Sequence, residues 1–175
     1  MGQRQAGVRL LTVVDGIEIV DVHLDKRSTL ERILEESFEG WYLRHSKRIL
    51  LEVETVRAAR FSGEGEPIGL VMLKTLEEGV GYVYYVAVAR AHRAKGVASL
   101  LLKDALRLFK AGGAVEVFAS VEKDNLPSER LFAAEGFVRT NLIEVSQRHG
   151  TLRALNMYRL MVVVPGEVLL HRAID

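Results

Sequence analysis

The stretch from Tyr82 to Val121 constrains the fold more than any other part of the sequence. It contains an apolar run typical of a β-strand, Tyr82 to Ala89, then a helix from Gly96 to about Lys110, and then a second strand, Ala114 to Val121. A connection of this length, with a helix inside it, lets two strands of one sheet run parallel. We therefore predict one parallel strand pair joined by a helical crossover.

The rest of the sequence predicts strands that pair antiparallel around this unit. Asp15-Gly16 separates two β-rich runs and is a strong signal for a two-residue hairpin turn. Two further β-rich runs lead through glycine-containing turns into the strand at Tyr82, which is the pattern of an antiparallel meander. The predicted strands outside the crossover are residues 8–14, 17–22, 50–61, 67–76, 137–143 and 153–164.

Three more helices are predicted. Ser28 with Glu31 forms a capping-box pattern that begins a helix running to about Glu39. A shorter helix is expected over Trp41 to Arg48, and another over Asn125 to Glu135. The chain is thus predicted to be α+β, a single domain with a mixed, mostly antiparallel twisted sheet flanked by helices.

Composition argues against several classes of function. The 24 basic and 23 acidic residues give a net charge of +1, without the one-sided excess expected for a nucleic-acid or membrane partner. The absence of cysteine excludes disulfides and thiolate sites, and the five histidines show no metal-ligand spacing, so we predict no metal.

Residues 8–14 are too short a run for a signal peptide, and no run approaches the roughly 20 apolar residues of a membrane span. We expect a cytoplasmic protein.

Positive charge and bare backbone meet at the start of the crossover helix. A helix N-terminus presents unpaired N–H groups and a partial positive charge, which together favour phosphate binding. Gly96 would let the backbone approach an anion without a side chain between them. The alternative is an ordinary helix start whose basic residues are only solvated. The residues concerned are Arg93, Ala94, Lys95, Gly96, Val97 and Ala98.

These six residues resemble the R/Q-x-x-G-x-G/A loop that binds the pyrophosphate of acetyl-CoA in the GNAT superfamily of N-acetyltransferases. The resemblance extends to YVYYVAVARAHRAKGVASLLLKDAL, which is similar to the family's strand, loop and helix, and to NLPSERLFAAEGF, which is similar to its next helix. The similar segments cover roughly residues 80–137. The resemblance implies one GNAT-like domain over residues 1–175, with an extra N-terminal hairpin at 8–22 and a C-terminal tail at 165–175.

The resemblance also implies a reaction, the transfer of an acetyl group from acetyl-CoA, the cosubstrate, to a primary amine by direct attack. The acceptor would be a protein N-terminus, a lysine or a small-molecule amine. In the family, the strand before the loop splays away from its neighbour, and its free edge pairs with the pantetheine arm and polarises the thioester carbonyl. The implied cofactor-binding residues are Val86, Ala87, Val88, Arg93, Ala94, Lys95, Gly96, Val97, Ala98, Asn125 and Phe132.

Departures from the family pattern concern proton transfer. Many members have a tyrosine acid where Phe132 stands, and a glutamate where Tyr84 or Ser120 stands. Tyr84 is the candidate catalytic residue, on condition that its pKa is shifted, and solvent is the other expected relay. The alternative for Tyr84 is a strand tyrosine that packs against its neighbours. Four further residues are weaker candidates. A solvated loop or a helix cap would also explain Glu122 and Asp124, support of the phosphate loop would explain His92, and core packing would explain Tyr158.

The acceptor side is expected to be built by residues 28–48 and 143–153, which by the resemblance are the first helical region and the loop between the last two strands. Acidic residues in the first region could attract a cationic amine or form a solvated helix face. These residues are Glu31, Glu35, Glu36 and Glu39.

Two other functions stay open at this point. A non-catalytic acyl-CoA-binding or interaction module would explain why the family's tyrosine and glutamate are missing at Phe132 and Ser120. A structural domain without a ligand would require both motifs to be coincidental. A homodimer formed through the extra hairpin or the tail is compatible with the sequence.

Overall fold

The centre of the molecule is a mixed β-sheet, seen in a computed structural model that describes residues 12–14, 16–63 and 65–174. Within those ranges its strands are β1 (Thr12–Val14), β2 (Ile17–Asp21), β3 (Thr55–Phe61), β4 (Pro67–Glu77), β5 (Val80–Val88), β6 (Glu116–Glu122), β7 (Val138–Thr140) and β8 (Glu167–Ala173). Their order is β1-β2-β3-β4-β5-β6-β8-β7. Neighbours pair antiparallel except β5 and β6, which are parallel, so the predicted crossover is confirmed.

Helices cover both faces of the sheet. In chain order they are α1 (Glu31–Glu35), α2 (Gly40–Glu52), α3 (Val97–Ala111), α4 (Leu126–Ala134), α5 (Leu142–His149) and α6 (Thr151–Met161), with 3-10 helices at Leu24–Leu30 and Arg90–His92. One face packs against α3 and α4. The other packs against α1 and α2 in one cluster and α5 and α6 in another. Over the residues with described structure, none of these helices is long and apolar enough to cross a membrane.

Two glycines let α3 lie close to the sheet. A Cβ atom on Gly81 in β5 would lie 2.5 Å from the ring of Phe109, so only glycine leaves room for that ring. A Cβ atom on Gly69 in β4 would lie 3.1 Å from the side chains of Val97 and Leu101. This close packing fixes the position at which the N-terminus of α3 emerges from the sheet.

Strands β5 and β6 pair over only part of their length. The parallel register runs from Val80 opposite Glu116 to Val83 opposite Ala119. Beyond that point no pairing between the two strands is found in the described chain, so residues 84–88 of β5 keep a backbone edge without a strand partner on that side. The divergence opens a gap in the sheet.

A β-bulge in β5 lies at the point of divergence. Met72 of β4 is opposite Tyr85 and Leu73 is opposite Val83, so Tyr84 is the extra residue. Consecutive residues of a regular strand face opposite sides of a sheet. Because of the extra residue, Tyr84 and Tyr85 both pack against the same cluster of helices.

The predicted helix over residues 28–39 is wrong in its start and its length. Ser28 lies inside the first 3-10 helix, where its carbonyl oxygen accepts from the N–H of Glu31 but its side chain makes no capping bond, and α1 ends four residues before Glu39. Arg27 explains the difference. Its buried guanidinium donates to the carbonyl oxygens of Leu50 and Val53 at 3.0 and 2.7 Å, which fastens this segment to the end of α2.

Other boundaries differ more modestly. Helix α2 begins and ends beyond the predicted residues 41–48, so the strand predicted over 50–61 begins only at Thr55. The strand predicted over 137–143 is the short β7, and α5 follows it. Of the predicted hairpin, residues 8–11 and Asp15 lie outside the described residues, and the remainder pairs as β1 with β2.

Two predictions near the C-terminus are wrong. Residues 153–164, expected to be a strand, lie mostly in α6, whose buried Ala154, Met157 and Met161 recur at helical spacing. Residues 165–175, expected to be a tail, contain β8, which pairs with β6 along its whole length. The C-terminal segment is therefore part of the sheet, and its start lies beside the gap between β5 and β6.

Candidate active site

A cleft with a volume of about 960 Å³ opens where β5 and β6 diverge. Its walls come from β5, the first turn of α3, the N-terminal half of α4, residues 37–45 and the end of α6. The structure brings together every residue expected at the site except Lys95. Those lining the cleft are Tyr84, Val86, Ala87, Val88, Arg93, Ala94, Gly96, Val97, Ala98, Asn125 and Phe132.

The N-terminus of α3 opens into this cleft. Gly96 is its N-cap, with a φ of +80°, a left-handed conformation that glycine adopts readily. No described side chain caps the first turn, so its N–H groups have no acceptor within the helix. A Cβ atom on Gly96 would meet nothing within 4 Å, which leaves room for a ligand. These features suit an anion such as a phosphate.

The two basic side chains of the loop have other partners. Arg93 donates from Nε to the carbonyl oxygen of Val88 at 3.0 Å and from Nη2 to that of Glu36 at 2.6 Å. Lys95 Nζ donates to the carbonyl oxygen of Ala91 at 2.9 Å. Arg93 therefore ties the loop to β5 and to the segment after α1. In this arrangement the anion-binding capacity of the loop comes mainly from its N–H groups.

The free part of β5 offers its backbone to the cleft. Ala87 packs with the α1 and α2 cluster, whereas Val86 and Val88 pack on the opposite face against the α3 cluster. Because the side chains of these residues pack in the two cores, their backbone edge faces the gap. A backbone edge of this kind can pair with an extended ligand as it would with another strand.

Helix α4 supplies the opposite wall. Asn125 is its N-cap, and its Oδ1 accepts a hydrogen bond from the N–H of Ser128 at 3.2 Å, so Nδ2 is the donor left for other partners. Phe132 is buried, and its ring meets Phe137 edge to face with centroids 5.0 Å apart. Phe132 therefore contributes to the core as well as the cleft, and it has no proton to donate.

Tyr84 has its hydroxyl already engaged. That hydroxyl donates to the carbonyl oxygen of Leu160 in α6 at 2.6 Å. Burial raises the pKa of Tyr84, which is opposite to the shift that would make it a base near neutral pH. Tyr84 is thus a neutral phenol here and can relay a proton only when the bond to Leu160 opens.

Sequence reasoning missed Glu167, because it placed this residue in a tail. Glu167 begins β8 and lines the cleft. Its Oε2 accepts a hydrogen bond from the N–H of Val164 at 3.1 Å, and the side chains of Ser120 and Tyr42 interact with the same carboxylate. Burial raises the pKa of Glu167 above its ordinary value, although these interactions oppose the shift. The apolar residues 168–170, which follow Glu167 directly, were the available indication of a strand here.

A line of hydroxyl groups leads from the sheet to Glu167. The hydroxyl of Tyr82 lies 2.9 Å from Oγ of Ser120, and the side chain of Ser120 in turn interacts with the carboxylate of Glu167. Tyr42 approaches the same carboxylate from α2, and burial together with Glu167 raises the pKa of Tyr42 to about 12. Burial also raises the pKa of Tyr82, so both tyrosines are neutral.

Aromatic residues of α2 form the outer wall of the cleft. The rings of Trp41 and His45 stack with centroids 4.6 Å apart, and His45 Nδ1 lies 2.7 Å from the hydroxyl of Tyr85. His45 Nε2 is buried and has no hydrogen-bond partner among the residues that the structure describes. Burial, helped by Arg48, lowers the pKa of His45, so this imidazole is neutral at pH 7.

The acidic residues expected on the acceptor side are mostly engaged elsewhere. Glu31 and Glu35 bind Lys47, with shortest N–O distances of 3.0 and 2.6 Å. Glu36 accepts a bond from the loop after β5, and of the four expected glutamates only Glu39 lines the cleft. Residues 143–153 do not line it, whereas residues 161 and 162 of the same connection do.

The weaker candidates separate in the structure. Glu122 and His92 line the cleft, and the ring of His92 meets Phe61 edge to face at 5.6 Å. Asp124 adopts a left-handed φ of 71° in the turn before α4 and does not line the cleft. Tyr158 lies on α6, not on the last strand, and packs in the core. Within the described ranges, no cluster of histidine and acidic side chains could hold a metal ion.

Solved acetyltransferases share this fold. Ard1 from Thermoplasma volcanium is 17% identical, with a TM-score of 0.68 over 91% of this chain and 99% of that chain. A GNAT family acetyltransferase from Elizabethkingia anophelis, solved with acetyl-CoA bound, is 15% identical, with a TM-score of 0.67 over 92% and 100%. The ribosomal-protein-S18-alanine N-acetyltransferase from Escherichia coli is 10% identical, with a TM-score of 0.67 over 91% and 94%.

The sequence itself matches the acetyltransferase (GNAT) family over residues 22–137, more than half of the 175 residues. No curated protein matches it. The matched range includes the bulge in β5, the open N-terminus of α3 and the whole of α4. The chain therefore belongs to the acetyltransferase (GNAT) family.

Proposed function

We propose that this acetyltransferase transfers the acetyl group of acetyl-CoA to a primary amine. The observation that carries the proposal is that one cleft contains both an uncapped helix N-terminus and an unpaired strand edge. The first suits a pyrophosphate and the second suits an extended amide-containing arm. The Elizabethkingia relative, solved with acetyl-CoA bound, supports this assignment.

The cleft residues divide into two groups under this proposal. The N–H groups at the start of α3 would bind the pyrophosphate, and Arg93 would shape the loop that presents them. The backbone of residues 86–88 would bind the pantetheine arm, with Asn125 and Phe132 on the opposite wall. Lys95 would contribute charge from outside the cleft.

The protein's part in the chemistry is electrostatic and positional. Backbone N–H groups at the splayed part of β5 would stabilise negative charge that develops on the thioester oxygen. An amine attacks only in its neutral form, so a group in the cleft or a water must remove a proton from the ammonium. The resemblance implies solvent or Tyr84 as the relay, and Tyr84 can act only after its hydroxyl leaves the carbonyl oxygen of Leu160.

The acceptor class follows from the outer half of the cleft. Trp41 and Tyr42 offer aromatic surface there, and Glu39, Glu122 and Glu167 offer negative charge. We propose a cationic primary amine, either a small molecule or the amine of a protein N-terminus or lysine. The Escherichia coli relative is named for N-acetylation of a protein alanine, which keeps protein acceptors among the candidates.

A non-catalytic acyl-CoA-binding module is the second candidate. It is favoured by Phe132, which occupies a core position and cannot protonate a leaving thiolate. The two proposals agree on cofactor binding and differ in turnover.

A screen for turnover tests the proposal. The purified protein is incubated with acetyl-CoA and a panel of alkyl diamines, arylalkylamines, amino acids, and peptides with free N-termini or lysines. We expect release of CoA thiol together with an acetylated product, identified by mass, for at least one cationic amine. Acetyl-CoA binding without CoA release across the whole panel would favour the non-catalytic module instead.

A further inference from the structure

We infer that Glu167 is the group that accepts the proton of the acceptor ammonium in this cleft, an inference that rests on the proposed acetyl transfer to amines. Glu167 stands on β8 directly opposite Glu122 of β6, just past the point where β6 leaves β5. Its carboxylate therefore lies beside the gap in the sheet and lines the cleft. Among the described carboxylates that line the cleft, only that of Glu167 accepts a hydrogen bond, from the N–H of Val164.

The carboxylate of Glu167 has neighbours in three other segments. The Val164 N–H donates to Oε2 at 3.1 Å, and Ser120 of β6 and Tyr42 of α2 interact with the same carboxylate. The hydroxyl of Tyr82 lies 2.9 Å from that of Ser120, and either hydroxyl can donate this bond. The N–H of Val164 can only donate, so it keeps the carboxylate of Glu167 as an acceptor, with its remaining lone pairs available to an amine or a water.

Competing groups in the cleft are less suited to the task. Tyr84 has used its proton in the bond to Leu160 and is neutral. His45 is buried against Trp41 and bonded to Tyr85, which places its paired nitrogen away from solvent. Glu39 and Glu122 are exposed, and over the described residues no hydrogen bond to either carboxylate is found, so they attract a cation without positioning it.

The proton balance is complete without a further reactant. A primary ammonium has three protons at nitrogen. Glu167 takes one, directly or through water, before the nitrogen forms its bond to the acetyl carbonyl carbon. The carbon–sulfur bond then breaks, and the sulfur leaves with its bonding electron pair and takes the second proton. The amide keeps the third, and Glu167 releases its proton to solvent.

The environment of Glu167 favours the first of these transfers. Desolvation lowers the pKa of an ammonium in the cleft, and it raises that of Glu167. The two values therefore move toward each other when the amine enters the closed site. A base performs best when its pKa lies near the working pH.

Glu167→Gln tests the inference with the shape of the side chain kept. We expect kcat for the best amine to fall by about 100-fold or more, the size of effect typical for loss of a general base. The acid limb in the pH profile of kcat should disappear. Activity should partly return at high pH, where the amine is already neutral in solution, and acetyl-CoA binding should be unchanged because the cofactor groups are untouched.

Two further variants separate a base from a merely acidic or structural residue. Glu122→Gln removes the same charge from the facing position and should change KM more than kcat, with the acid limb kept. Ser120→Ala removes an interaction that lowers the pKa of the Glu167 carboxylate, so it should move the acid limb to higher pH.

The outcomes distinguish the two proposals. If the wild type turns over amines but Glu167→Gln keeps the wild-type kcat and acid limb, Glu167 is not the base while the proposed function stands. If the wild type itself acetylates no amine, the proposed function fails and this inference fails with it. Equal losses in kcat for Glu167→Gln and Glu122→Gln would mean that Glu167 only attracts the cationic amine, and this result would overturn the inference.

Discussion

At the residue scale, a buried ion pair joins the sheet to the helix that carries the cofactor loop. Arg57 of β3 donates to both carboxylate oxygens of Asp104 in α3, at 2.8 and 3.3 Å, and both side chains are 1–2% exposed. Asp21 adds a contact from β2 at 2.8 Å, but its side chain is 47% exposed. Removing one member of a fully buried pair leaves the other charge without its main partner.

We predict that Arg57→Met lowers the free energy of unfolding by about 3–5 kcal/mol, because it leaves the Asp104 carboxylate buried. Urea denaturation monitored by circular dichroism measures the loss. Asp21→Asn should cost less than about 1 kcal/mol, since its contact is half-exposed. The double variant Arg57→Met with Asp104→Leu should recover much of the loss. A loss below 1 kcal/mol in Arg57→Met would show that the pair is not needed for stability.

Site residues differ in how far the sequence could predict them. Gly96 and Asn125 lie in local patterns, a glycine at a helix start and an asparagine cap, and the structure places both in the cleft. Glu167 reaches the cleft only because β8 pairs with β6, and no local pattern specifies that long-range pairing. The same limit applies to Arg93, whose charge suggests phosphate binding although its hydrogen bonds go to two backbone carbonyls and to the hydroxyl of Ser37.

At the element scale, a carboxylate between two histidines attaches α5 to the sheet. Oε1 of Glu116 lies 2.8 Å from Nε2 of His149 at the end of α5, and Oε2 lies 2.9 Å from Nε2 of His171 on β8. Burial alone would raise the pKa of Glu116, but the hydrogen bond from His171 and the nearby histidines keep that pKa below its ordinary value. The cluster connects β6, β8 and α5.

This cluster predicts an acid-dependent loss of stability. A carboxyl whose pKa falls on folding contributes stability above its unfolded pKa, about 4.3 for glutamate, and that contribution is lost as pH falls through the lowered value. Glu116→Gln should therefore be less stable than wild type at pH 7, and the gap should narrow as the pH falls below about 4. Unfolding curves over a pH series check this. A gap that stays constant with pH would contradict the role given to Glu116.

Errors in the predicted elements have a common physical origin. Residues 153–164 include several β-branched or aromatic side chains, but Ala154, Met157 and Met161 form a helical stripe that packs on Tyr82 and Phe118 of the sheet. The 3-10 start at Leu24–Leu30 depends on bonds from Arg27 to the distant end of α2. In both places tertiary contacts outweigh local propensity.

At the scale of the whole molecule, the site is a consequence of how the sheet is built. The crossover over residues 82–121 makes β5 and β6 parallel, and the bulge at Tyr84 accompanies their separation. The gap is then covered by α2 and α6 and bounded by α3 and α4. The fold class and the α3 end of the cleft follow from the sequence. The acceptor end does not, since it depends on where residues 37–45, the end of β6, the end of α6 and the start of β8 meet.

Isothermal titration with acetyl-CoA is the first test of the proposal that the open N-terminus of α3 binds the pyrophosphate of this cosubstrate. The wild type should bind, and Gly96→Glu, which sets a carboxylate against the phosphates, should not. Gly113→Glu is the matched control. Gly113 lies just past the other end of α3 with a φ of +82°, close to the +80° of Gly96, and a Cβ atom there also meets nothing within 4 Å.

We expect the wild type and Gly113→Glu to bind acetyl-CoA and Gly96→Glu not to bind it. At acetyl-CoA about 100 times the Kd, the two binding proteins should also gain about 2.7 kcal/mol of stability in thermal unfolding. Wild-type affinity in Gly96→Glu, or no binding by the wild type, would contradict the assignment of this loop and the function proposed from it.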